Sequence, residues 1–188
     1  MIDGLGNLIS PTQIIWAGAD GQQGACPEPN VPHAQRKHSL WLRHTQTKSH
    51  WTTVESLKEL IEMTAEHAKS AMEAGGMEPR SQKWVFIMDC YSVHISAAFL
   101  AWARATHPNM ILLFIPATHT AYLQPLDISF NYVFKAILRG IAAKWLGNYV
   151  ADELRKNGRD PTKVKLDIRL TTIKPRFCEW VAAALEEM

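Results

Sequence analysis

A chain of 188 residues with 47% hydrophobic side chains can bury a core of its own and fits one domain over residues 1–188. With 20 Lys and Arg against 18 Asp and Glu, the net charge of +2 argues for neither a histone-like partner nor an acidic tail, and leaves nucleic acid open as a partner. Cys26, Cys90 and Cys178 lie far apart without a C-x-x-C spacing, which argues against a disulfide framework and a structural zinc site. No apolar run approaches the roughly 18–20 residues of a membrane span, and the opening residues do not show the basic-then-apolar pattern of a signal peptide. The expectation is an intracellular soluble protein with no membrane partner.

Asp3-Gly4 reads as a turn, and the β-branched cluster QIIW predicts a strand over residues 8–16. Residues 19–38, rich in Gly, Pro, Gln and Asn, predict a surface loop, and SLWLRH a second short strand. Thr52 and Glu55 have the T-x-x-E spacing of a capping box. A helix should follow, with Val54, Leu57, Ile61, Ala65, Ala68 and Met72 on its apolar face, and should stop at Gly75-Gly76. KWVFIMD, ending in Asp89, and MILLFI, from Met110, predict strands buried on both faces, with a helix over residues 95–106 between them. A long helix is expected over residues 128–150, then a loop, RKNGRDPTK. A last helix over residues 174–188 should have Pro175 in its first turn and Phe177, Trp180, Val181, Ala184 and Leu185 on its apolar face. Strand, helix, strand, helix implies an α/β fold with parallel strands joined by a crossover.

In open parallel sheets ligands bind beyond the carboxyl ends of the strands. Asp89 stands at one such end, and the loop leaving the next strand, PATHTAYLQPLDISF, leads to Asp127 where a helix begins. Two carboxylates meeting in a cleft need a cation between them, and hard oxygen ligands suit Mg2+ or Mn2+. With a third acid, such a pair can support two-metal phosphoryl transfer. The plainer alternative is a turn aspartate at a strand end and an N-cap at a helix start. Spacing leaves both open.

The wording of these segments goes further. FIMDCYSVHIS followed by FIPATHTAYLQPLDISFNYVFKAILR resembles the DDE superfamily of endonucleases and transposases, in its pogo-like and Jerky-like branch of the mariner group. Pro116, Thr120, Leu123, Gln124, Pro125, Leu126, Asp127, Asn131, Phe134 and Lys135 match that family's P-x-x-x-T-x-x-L-Q-P-L-D block and the N-x-x-F-K stretch after it. DGLGNLISPTQIIWAG, SHWTTVESLKELIE and KPRFCEWVAAALEE are more weakly similar to the family's turn and strand, its G-W-x-T segment with a helix, and its closing helix. The resemblance implies a ribonuclease-H-like mixed sheet flanked by helices, and Mg2+- or Mn2+-dependent hydrolysis and strand transfer of DNA phosphodiesters.

Residue by residue, Asp89 matches the family's second acid and Asp127 its third, as catalytic and metal-binding groups. Asp3 matches a turn aspartate, not a catalyst. The first acid lies on the strand before that turn, where this chain begins, so the expectation is a fold lacking its first strand, with impaired catalysis. Cys90 stands where many relatives have Asn. His94 matches a family His that would meet DNA or phosphate near the metals; a histidine that caps or packs at a helix start is the alternative. Lys135 and Arg139, four apart on one helix, are candidate phosphate contacts, against the alternative of a solvated face. His119 is expected to face solvent. Trp41, Trp51, Trp84, Trp102, Trp145 and Trp180 are expected to be core or half-buried rather than base-stacking.

Three functions stay open. One is a DDE-type nuclease or transposase domain acting on transposon ends or host DNA, compatible with a homodimer and, in a eukaryote, with the nucleus. Another is a catalytically silent, domesticated DNA-binding or protein-interaction domain. The third, an α/β hydrolase using His94 with Asp89, gives no reason for the QPLD block.

Overall fold

Two short parallel strand pairs, each faced by a pair of helices, organise the molecule. The computed structural model describes residues 3–5, 12–17, 40–45 and 48–188, apart from the side chains of Leu42, His44, Thr120, Ala121, Asp127 and Leu170. The start of the first expected strand and the expected loop over residues 19–38 lie outside the described residues.

Strands β1 (Thr12–Trp16) and β2 (Leu40–His44) pair in parallel, from Thr12 beside Leu40 to Trp16 beside His44. Helix α1 (Val54–Ala74) follows. Its cap is one residue later than the T-x-x-E spacing predicts: the Thr53 hydroxyl accepts from the Ser56 N–H at 3.2 Å, and the Ser56 hydroxyl accepts from the Thr53 N–H at 2.9 Å. A serine hydroxyl can close the box as well as a carboxylate, which frees Glu55 to sit in the first turn near the positive end of the macrodipole.

Strands β3 (Trp84–Asp89) and β4 (Met110–Ile115) form the second parallel pair, in register from Trp84 beside Met110 to Asp89 beside Ile115. Helix α2 (Ala97–Thr106), capped by the Ser96 hydroxyl at the Phe99 N–H, makes the crossover that parallel neighbours require. Beyond β4, a wide helical turn, Leu126–Phe130, leads into α3 (Asn131–Lys156). The turn is closed by the bond from the Asn131 N–H to the Leu126 carbonyl, so regular helix begins three residues later than expected. The final helix, α4 (Leu170–Glu187), begins four residues earlier than expected, which puts Pro175 inside it and removes one backbone donor there. Asp167 anchors the early start, accepting from Arg169 Nε and Nη2 at 2.8 Å each and from the Thr172 hydroxyl at 2.8 Å.

There are two cores. Leu40, Cys178, Val181 and Ala182, with Ile14, Trp16, Phe134 and Leu138 around them, pack α3 and α4 on β1 and β2. Leu57, Ile61, Met88, Phe99, Ala103 and Met110, with Trp84, Phe86, Leu112 and Phe114, pack α1 and α2 on one face of β3 and β4. The opposite face is not covered as the apolar runs predict: Val85, Ile87, Ile111 and Leu113 are each about half exposed. Both helices lie on the same side, so alternate residues of two almost wholly apolar strands meet water. The described strands form two separate parallel pairs, not one mixed sheet, and the molecule is mixed α/β. Among the described residues no helix is long and apolar enough to cross a membrane.

Ile61 is wholly buried in the second core. Ile61→Ala should lower unfolding free energy by about 2–5 kcal/mol, read as a lower urea midpoint at unchanged slope. The hydrogen bonds from Arg169, and then from Thr172, hold the Asp167 carboxyl well below the 3.8 of an ordinary aspartate. A depressed folded value makes its contribution complete above 3.8 and lost as pH falls through the lower folded value. Thermal midpoints measured from pH 6 to pH 2 should therefore drop less steeply at the acid end in Asp167→Asn than in the native chain.

Candidate functional site

The chain leaves β3 at Asp89 and folds back on itself. Val93 packs into the second core, the Ile95 N–H bonds the Tyr91 carbonyl at 3.2 Å and the Ser96 N–H the Val93 carbonyl at 3.3 Å. That tight turn returns His94 to the strand end, where Nδ1 lies 2.7 Å from Asp89 Oδ1 and 3.2 Å from the Asp89 carbonyl oxygen. An ionised carboxylate only accepts, so Nδ1 carries the proton. The Tyr91 N–H reaches the same Oδ1 at 3.4 Å. The pair is partly buried, with the His94 side chain 19% and the Asp89 side chain 34% exposed, so the carboxylate is held firmly yet open to a ligand.

A run of rings continues from this pair. Tyr91 meets His94 edge-on at 5.5 Å and 79°. Tyr91 also lies 5.9 Å from Trp51 at 33°, and Trp51 stacks on His50 at 5.3 Å and 24°. The segment carrying His50 and Trp51 is tied at both ends. The buried Thr45 hydroxyl donates to the Ser49 carbonyl, the Trp51 N–H donates to Ser49 Oγ at 3.2 Å, and Thr53 caps α1.

Trp51 corrects the expectation for the tryptophans. It is 62% exposed, on the link between β2 and α1, outside the described helices. Trp41, Trp84, Trp102, Trp145 and Trp180 are half-buried as expected. The ring run was not legible in the sequence, since Trp51 and Tyr91 belong to different segments and only folding joins them.

Of the other predicted site residues, Asp127 falls in the wide turn before α3, and its carboxylate lies outside the described residues. Lys135 and Arg139 are exposed one turn apart on α3. His119 faces solvent as expected, with its Nδ1 2.9 Å from the Thr118 hydroxyl. The structure thus brings His94 to Asp89, and Lys135 near Arg139.

A divalent metal does not fit the described residues alone. Among them no three His, Cys, Asp or Glu side chains are grouped to hold an ion. A single carboxylate with an imidazole on Oδ1 is far from the six-oxygen shell that Mg2+ demands. Compared with known proteins, the chain matches no family model, no curated protein and no solved structure.

The Asp89–His94 contact sets an outcome for spectroscopy. Long-range 15N–1H correlation at neutral pH should find the His94 proton on Nδ1, and Asp89→Ala should remove that preference. A proton on Nε2 in the native chain would mean the contact is not a hydrogen bond to the carboxylate.

Proposed function

We propose that the chain is a nucleic-acid-binding domain of the DDE endonuclease type, ribonuclease-H-like in fold, in which Asp89 and Asp127 hold Mg2+ or Mn2+. The observation that carries this reading is the register of the second strand pair. Asp89 and Ile115 are partners at the carboxyl edge, so the segment from Pro116 to Asp127 departs from beside the Asp89 strand end. That edge is where parallel sheets bind their ligands. The QPLD block gives the second carboxylate its reason to return there.

A divalent ion at such a site supplies Lewis-acid activation of a phosphodiester. The parts of the chain are narrower. Asp89 and Asp127 offer oxygen ligands. His94 steadies the Asp89 carboxylate through Oδ1, which leaves Oδ2 for the cation. Lys135 and Arg139 meet DNA phosphates from the exposed side of α3. DNA as partner, a homodimer and a nuclear location in a eukaryote belong to this same reading.

A second reading, a catalytically silent DNA-binding or protein-interaction domain, draws support from a different observation. Among the described residues Asp89 has a histidine for its neighbour and no cluster of three metal ligands around it.

Calorimetric titration with Mn2+, together with nicking of supercoiled DNA, tests both readings. The native chain should bind the ion, Asp89→Ala and Asp127→Ala should abolish binding, and His94→Ala, which removes an outer-shell partner, should weaken it about 10-fold. Equal binding by all four proteins sinks the metal assignment. Binding without nicking selects the silent reading.

A further inference from the structure

We propose that the ring run of His50, Trp51 and Tyr91 is a stacking platform for an unpaired base, so that the nucleic acid held beside Asp89 is single-stranded there. This deepens the nucleic-acid reading above and rests on it. Its physical grounds are separate from the metal.

Of the 7 tryptophans in the chain, Trp51 alone is exposed. An indole that large costs solvation when left in water, and here it is not left loose. Trp51 stacks on His50 at 5.3 Å and 24° and lies 5.9 Å from the tilted Tyr91 ring at 33°, so its neighbours hold the exposed indole in place. Base faces are taken up by surfaces of this kind, without regard to sequence, because every base has a π-face.

The bonds through Thr45, Ser49 and Thr53 tie down the residues on either side of Trp51 before any ligand arrives, which reduces the ordering cost of binding. Lys48 and His50, both exposed, put one cation and one donor-bearing ring on the same link, where a phosphate backbone would run. The edge-on His94 ends the run at the Asp89 carboxylate, so a base stacked on Trp51 lies on the approach to that carboxylate.

A proline-rich peptide is the competing occupant, since aromatic surfaces also take polyproline helices. Those seat in grooves between rings that stand apart. Here His50 stacks directly on Trp51, and the exposed Lys48 on the same link complements a phosphate backbone and not an uncharged proline-rich peptide, which favours a nucleic acid.

The test is fluorescence anisotropy with a labelled oligothymidine, a duplex of the same length and a polyproline peptide. All are measured in EDTA, so that metal binding at Asp89 and Asp127 cannot contribute. The native chain should bind the single strand more tightly than the duplex. Trp51→Ala should weaken it about 10-fold or more, and Trp51→Phe should recover most of the loss. Tyr91→Ala should weaken it as well, and matching circular dichroism would show that each variant is folded. Single-strand affinity unchanged in Trp51→Ala, preference for duplex, or binding of the peptide in place of the oligonucleotide would each overturn the proposal. Because EDTA separates the experiments, the platform can stand if the metal assignment falls, and can fall while metal binding and nicking hold.

Discussion

The parallel register that sets Asp89 beside Ile115 is the constraint on which the rest of the candidate site depends. Parallel neighbours need a crossover, and α2 supplies it on the same side of the pair that α1 already covers. Side chains alternate along a strand, so Trp84, Phe86 and Met88 go to the core while Val85, Ile87 and Asp89 take the opposite face. Asp89 therefore ends the strand on the uncovered side. A slip of one residue would turn Asp89 into the core and its apolar neighbours outward.

The turn after Asp89 converts that backbone fact into a chemical one. With Val93 partly buried against the second core, the four-residue excursion has little freedom, and His94 is delivered to its own strand end. The same turn brings Tyr91 to Trp51. The link between β2 and α1 and the link between β3 and α2 thus face one another, although a whole helix and strand separate them in the chain. The two halves also touch where the Gln13 side chain donates to the Ser56 carbonyl at 3.2 Å and where Arg43 pairs with Glu59. That ion pair is too exposed to hold much on its own.

Much of the element order was legible from periodicity. The three-to-four residue spacing from Val54 onward, the stop at Gly75-Gly76, and the apolar runs WVFIMD and MILLFI correspond to α1, β3 and β4. Boundaries were less legible wherever a side chain competes for the backbone. Ser56 closes the cap that the spacing gave to Glu55, Asp167 draws α4 back past Pro175, and a wide turn delays α3 to Asn131. None of these has a periodic signature, because each rests on a few hydrogen bonds formed locally.

Asp89 at a strand end and His94 five residues on were properties of the sequence by itself, as was the apolar character of both faces of β3 and β4. Their use was not. Which face meets α1 and α2, that Trp51 lies exposed against Tyr91, and that His94 Nδ1 lies on the Asp89 carboxylate are decided by packing, since they depend on contacts between segments that the chain order keeps apart. Periodicity reports how a segment turns its own side chains. Only the folded arrangement determines what those side chains meet.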